Sequence, residues 1–160
     1  MVSDIGCEYD GSILDVGCGY NAIGDVNCDL FIDREYRQSI KPKRIPNFIF
    51  CDCQYLPFAD NCFKFVYCSH VIEHVKKPFQ LLKELIRVSN RFIKLRLPHR
   101  FNLYRIGDWH IQFFNETWFV KVLSKMNVGF SIRTIHKGMM SIPFIMPCEI
   151  EVLIRKRIYS

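Results

Sequence analysis

Short apolar runs, each stopped by glycine, aspartate or serine, alternate along the first half of the chain with polar and proline-marked stretches. Ser12–Gly17 (S-I-L-D-V-G) is the first, and its length and aliphatic content predict a buried strand. Cys28–Asp33 (C-D-L-F-I-D), Asn47–Cys51 (N-F-I-F-C) and Lys64–Ser69 (K-F-V-Y-C-S) predict further strands. Only Tyr20–Asn27 separates the first from the second. A parallel crossover usually takes about a dozen residues or more, so one or two helical turns at most fit there. Pro78 opens a stretch where Phe79, Leu82, Leu85, Ile86 and Val88 recur at three- and four-residue spacing. That is an amphipathic helix with proline in its first turn. Arg91–Leu97 alternates and predicts a fifth strand. Asn115 caps a helix over Glu116–Met126 that carries Trp118, Phe119, Val122 and Leu123 inward. Gly129–His136 and Glu149–Lys156 alternate again, joined by a Met/Pro/Phe-rich link, as a terminal strand pair. Strands and helices in this order describe an α/β, doubly wound sheet.

The polar residues that interrupt the apolar pattern carry the chemistry. The first strand ends at Gly17 and Gly19, where the lack of a Cβ lets the backbone turn tightly and approach a ligand. Asp15 lies inside that strand, where a carboxylate is costly unless a cation or donors meet it. Gly17-Cys18-Gly19-Tyr20-Asn21-Ala22 also fits G-x-G-x-x-G/A, the dinucleotide fingerprint, with Ala22 at its third position. That fingerprint receives a pyrophosphate, which Asp15 would repel. S-adenosylmethionine instead offers an ammonium, a sulfonium and a ribose diol. Asp33, ending the second predicted strand, suits the ribose hydroxyls, with Asp29 as the fallback for a different register.

Composition changes this picture little. A chain of 160 residues with 49% hydrophobic content is expected to form one domain, 1–160. No apolar run reaches the length of a membrane span and no secretory signal opens the chain, which predicts a cytoplasmic protein. The net charge of +6 is expected mainly as a solvated basic surface, with nucleic acid a less favoured partner. The eight cysteines include no C-x-x-C pair, so buried reduced thiols are expected and no metal ligands are assigned. The oligomeric state is not legible.

Taken together, I-L-D-V-G-C-G, an aspartate at the second strand end, C-D-x-x-x-L-P-F-x-D-x-x-F and F-V-Y-C-S-H-V-I-E-H-V resemble the class I S-adenosylmethionine-dependent methyltransferases. The branch most similar is the type 11 methyltransferases, whose segments read D-x-G-C-G, L-P-F and L-E-H-V. The resemblance runs from about Ile13 to Arg96. It implies a mostly parallel seven-stranded Rossmann-like sheet, here minimal, with a shortened first helix and no N-terminal cap helices. It also implies S-adenosyl-L-methionine as cofactor. By position, Asp15, Gly17, Cys18 and Gly19 would line the methionine and ribose side, and Asp33 would hold the ribose. Asp52, Cys53 and Gln54 would meet the adenine edge, and Ser69 and His70 would lie close to the reactive methyl.

Methyl transfer from a sulfonium asks the protein for positioning, desolvation and, with some acceptors, proton removal. His70, His110 and His74 are the candidate proton acceptors, set against the reading that no dedicated base is used. Acceptor choice is expected in Pro98–Phe114, where His99, Arg100, Tyr104, Trp109 and His110 combine aromatic and basic groups suited to a small molecule or glycan. The C-S-H end of the fourth strand differs from the N/D-P-P-Y/F pattern of exocyclic-amine methylases. The competing readings are a catalytically inactive binding module, an RNA or protein methyltransferase, and a dinucleotide oxidoreductase.

Overall fold

The computed structural model describes residues 12–30, 45–102, 110–139 and 142–156, including the side chains of all but 137–139 and 142–146. They form a seven-stranded sheet in the order β3-β2-β1-β4-β5-β7-β6. The strands are β1 Ile13–Val16, β2 Val26–Asp29, β3 Phe48–Phe50, β4 Phe63–Ser69, β5 Ser89–Pro98, β6 Gly129–Met139 and β7 Ile142–Arg155. β1 pairs in parallel with β2 and β4, β2 with β3, and β4 with β5. β7 inserts antiparallel between β5 and β6. Helix α1 spans Pro78–Val88, α2 spans Glu116–Leu123, and a 3₁₀ turn covers Ile72–His74. This is the doubly wound, mostly parallel sheet that the residues predict.

The central strands bury one face, on which Leu14, Val16, Val66, Cys68, Ile93 and Leu95 alternate into the core; the opposite face carries Ile13, Asp15, Tyr67 and Lys94. α1 closes one face through Leu81, Leu82, Leu85 and Val88. Phe79, expected inside, is instead exposed, and Leu81 takes its place. Glu84, also on the buried side, accepts from the Leu56 amide at 2.8 Å. Arg87 pairs with Glu84 and donates to the carbonyls of Leu56 and Phe58, at 2.9 and 2.7 Å. The L-P-F segment is therefore strapped to α1, with Phe58 stacked edge-on against Phe63 at 4.9 Å. In α2, Asn115 caps Trp118 N at 3.1 Å and Phe119 and Leu123 point inward.

Several bounds differ from those the sequence predicts: α2 ends at Leu123 rather than Met126, β5 spans Ser89–Pro98 rather than Arg91–Leu97, and the larger differences are in β2 and the terminal strands. β2 begins at Val26 and ends at Asp29, because Leu14, Asp15 and Val16 pair with Val26, Asn27 and Cys28. The expected strand over Cys28–Asp33 is thus corrected at its start, and Asp33 itself lies outside the described residues. The terminal strands run further than the predicted Gly129–His136 and Glu149–Lys156: β6 extends to Met139 and β7 begins at Ile142, paired antiparallel with shifts of register at Ile135/His136 and Gly138/Met139.

The first crossover, Gly17–Asp25, contains no helix at all. Polar side chains do the work of one. Asn27, fully buried, accepts from Gly24 N at 3.0 Å and donates to Gly24 O and Pro46 O, each at 2.9 Å. Asp25 accepts from Ile13 N at 2.8 Å. Gly24 packs so tightly over β1 that a Cβ there would stand 2.5 Å from Val26 O and 2.8 Å from Asp15 N. These bonds satisfy backbone groups of the crossover and of the segments it lies against.

Candidate functional site

Strand order reverses between β1, with β2 and β3 on one side, and β4, with β5 on the other. A crevice opens at the carboxyl ends of strands at such a point. The predicted residues of the glycine turn gather there. Gly17 has φ +71° and donates to Cys28 O at 2.8 Å. A Cβ on it would overlap Val71 at 2.2 Å, so glycine is required for both conformation and space. Gly19 has φ +53°, and a Cβ there would meet nothing within 4 Å. The backbone thus presents an open cradle above the turn.

Two carboxylates flank that cradle. Asp15 is 3% exposed and accepts from Ile23 N at 3.0 Å. Burial raises its pKa above the usual carboxylate value, the Ile23 amide opposes this, and the nearby Asp29 adds to it. Asp29 ends β2 and accepts from Gly19 N at 2.9 Å, so it stands directly beside the open glycine. The sequence alone favours Asp33 over Asp29, because the β2 register depends on Asn27, whose role is visible only in three dimensions.

Asp52, Cys53 and Gln54 follow β3 as a tight turn. Asp52 accepts from Gln54 N at 2.8 Å and from its side-chain amide at 3.1 and 3.2 Å, and Gln54 in turn accepts from Lys77 N at 2.9 Å. This turn is thereby fixed to the start of α1. Most of the described cysteines are buried, among them Cys18, Cys28, Cys62, Cys68 and Cys148. Burial pushes Cys18 and Cys53 up to about 12.

At the end of β4, Ser69 pairs in register with Arg96, and His70 follows with φ +56°. That left-handed backbone costs a non-glycine residue on the order of 1–3 kcal/mol. It is held by His70 N donating to Arg96 O at 2.8 Å. His70 Nδ1 lies 3.4 Å from Glu73 Oε1, and its Nε2 lies 3.6 Å from Glu149 Oε1. Glu149 also pairs with Arg96. No sequence signal marks Glu149, which reaches the site from β7 across the antiparallel pairing with β5. His74 and His110 are brought together, ring centroids 4.9 Å apart, next to Glu73.

The acceptor-loop residues divide. Arg100 is exposed and lies over the Phe101 ring at 5.2 Å. His99 turns inward at 6% exposure, 3.3 Å from Glu116 and accepting from Phe101 N at 3.2 Å. Tyr104 and Trp109 lie outside the described residues.

The arrangement discriminates between the two ligands that the glycine turn allows. A dinucleotide pyrophosphate needs the N-terminus of a helix after the turn, and none follows. An open glycine between two carboxylates fits a ligand with a cationic head and a diol. S-adenosylmethionine has both.

Residues 14–91 match the family model described as a methyltransferase domain. Solved structures share the fold. A Thermotoga maritima S-adenosylmethionine-dependent methyltransferase, described as a possible histamine N-methyltransferase, superposes with a TM-score of 0.69 at 17% identity, over 92% of this chain and 83% of that one. A methyltransferase from Archaeoglobus fulgidus gives 0.69 at 16%, over 96% and 88%. Magnesium protoporphyrin IX methyltransferase from Synechocystis PCC 6803, with bound S-adenosylhomocysteine, gives 0.62 at 13%, over 93% and 75%. No curated protein matches the chain.

Proposed function

We propose that the chain is a class I S-adenosylmethionine-dependent methyltransferase, a reading supported by the match of residues 14–91 to the methyltransferase-domain model and by the shared fold, and that it methylates an oxygen or nitrogen of a small-molecule or glycan-type acceptor by in-line displacement. The cofactor, when bound, supplies an electrophilic methyl on a cationic sulfur. What remains is positioning by this chain's residues. Asp15 places buried negative charge at the head of the glycine turn, where it suits the ammonium. Asp29, beside Gly19, takes the ribose hydroxyls. The Asp52–Gln54 turn borders the adenine, its carboxylate already oriented by Gln54. Ser69 and His70 stand at the methyl side, with His70 held in its unusual backbone conformation by β5.

The acceptor side is assigned to Arg100, Phe101 and His110 and, on sequence grounds, to Tyr104 and Trp109. His99 supports that loop from beneath through Glu116. A small acceptor is supported by the compounds named for two similar structures, histamine and magnesium protoporphyrin IX. The observation that carries the reading is the Gly19–Asp29 bond at the open cradle.

Calorimetric titration with S-adenosylhomocysteine tests the cofactor part. The parent is expected to bind it and to give no heat with NAD. Asp29→Ala is expected to bind at least ~10-fold more weakly, as loss of hydrogen bonds to a charged group implies. Equal affinity in the variant would refute the assignment. The acceptor part is tested by incubating methyl-labelled cofactor and enzyme with a fractionated cell extract. Label should enter the low-molecular-weight fraction, and label in RNA or protein would establish the competing reading.

A further inference from the structure

We propose that Glu73, His74 and His110 form a binding site for a divalent transition-metal ion of the zinc class, at the 3₁₀ turn that follows β4. One ligand atom from each of the three lies within 4.8 Å of the others. Two imidazoles and a carboxylate are a donor set that suits zinc and its neighbours. Glu73 is the second observation. Its side chain is 1% exposed, and neither carboxylate oxygen receives a hydrogen bond. The His70 ring approaches Oε1 only to 3.4 Å. A carboxylate removed from water without donors is strongly unfavourable, and a bound cation reverses that cost.

The juxtaposition is built by the backbone and is not a chance meeting of long side chains. The Glu73 carbonyl accepts from both Ile111 N and Gln112 N, at 3.0 and 3.2 Å. Gln112 further donates its side-chain amide to Val75 O at 2.8 Å. The segment that carries His110 is thus zipped to the turn that carries Glu73 and His74. His74 is exposed, which gives an ion a route from solvent to the buried carboxylate. Metal–ligand bonds of about 2.0 Å at tetrahedral angles place donors roughly 3.3 Å apart, so small side-chain rotations complete the site.

Three protein ligands leave at least one coordination position for water or a substrate oxygen. The ion would stand one turn beyond Ser69 and His70, and would put a Lewis-acidic centre on the acceptor side of the crevice. There it would hold a hydroxyl-bearing acceptor. The site's existence does not depend on the methyltransferase reading, because metal binding is measured without cofactor or acceptor.

The test is competition titration of the EDTA-treated, dialysed full chain with Zn²⁺ against a chromophoric chelator, followed by the absorption spectrum with Co²⁺. One equivalent of zinc is expected. Glu73→Gln and His110→Ala should each weaken binding by roughly 100-fold or more, beyond the 10–100-fold that loss of an outer-shell partner costs. Circular dichroism reports whether each variant is folded, and the exposed His74→Asn carries the test if the buried substitution is not. The cobalt spectrum should lack sulfur-to-metal charge transfer. Parent-like affinity in the folded variants, no stoichiometric zinc, or a thiolate signature would overturn the proposal.

Discussion

At the scale of single residues, Asp15 is asked to do two things that conflict. It braces the first crossover through Ile23 N, and it keeps a charge in a place that water barely reaches. Its pKa is raised in the folded chain, with burial as the main cause. The folded protein therefore holds this proton to higher pH than the unfolded chain does. Stability from this group is greatest at acid pH and falls as pH rises above the ordinary carboxylate value of 3.8. At neutral pH that penalty bears on the fold. Asp15→Asn keeps an oxygen for Ile23 N and removes the charge. It is expected to raise stability at pH 7 by about 0.5–2 kcal/mol, in the range of common stabilising changes. The same variant is expected to bind S-adenosylhomocysteine more weakly. Denaturant unfolding at pH 7, paired with calorimetry, checks both, and a variant that is neither more stable nor weaker in binding would contradict this account. Gly17 and Asp15 are legible in the sequence because two closely spaced glycines that end an apolar run, with a carboxylate inside it, mark a ligand-facing turn on local grounds alone. Asp29 is legible only as the fallback to Asp33, because the choice depends on strand register, and Glu73 and Glu149 are not, since each depends on a partner distant in sequence.

At the scale of elements, the unusual feature is a parallel β1–β2 connection made without a helix. The spacing announces it, since Tyr20–Asn27 is too short for the normal crossover. The device that replaces the helix is not announced. Asn27 reads as an ordinary polar residue before an apolar run, yet it is fully buried and pairs with Gly24 and Pro46. Gly24 reads as a loop glycine, yet its missing Cβ is what allows the loop to lie against β1. Gly24→Ala places a methyl group 2.5–2.9 Å from three backbone atoms, none of which can swing aside. A destabilisation of roughly 1–3 kcal/mol is expected, the usual cost of overpacking a filled site. Urea unfolding measures it. A cost near zero would show that the crossover has slack, and that Asn27 does not fix the register that sets Asp29 beside Gly19. The helices behave differently, because their apolar stripes are readable. The choice of Leu81 over Phe79 escapes the sequence, since both positions fit a stripe that begins at Pro78, as does the burial of Glu84.

At the scale of the whole molecule, the order β3-β2-β1-β4-β5-β7-β6 decides where a ligand can sit. Each strand is separately visible as an apolar or alternating run. The placement of β7 between β5 and β6 is not, because antiparallel insertion is a matter of long-range pairing. That insertion brings Glu149 to His70, and so joins the last part of the chain to the crevice. The crevice in turn is made from the ends of β1, β2, β3 and β4, with the first crossover as one wall. A ligand that binds there touches segments whose mutual positions exist only in the folded chain, and it is expected to stabilise the whole sheet by linkage. At about 100 times its dissociation constant it should contribute about 2.7 kcal/mol, and a chain of this size should then melt several degrees higher. Thermal unfolding with S-adenosylhomocysteine, with NAD and with neither separates the readings of the glycine turn. A rise with the first alone follows from the absence of a helix N-terminus after Gly19. An equal rise with NAD would mean that the turn accepts a pyrophosphate in spite of Asp15 and Asp29, and the electrostatic argument for this cofactor would fail.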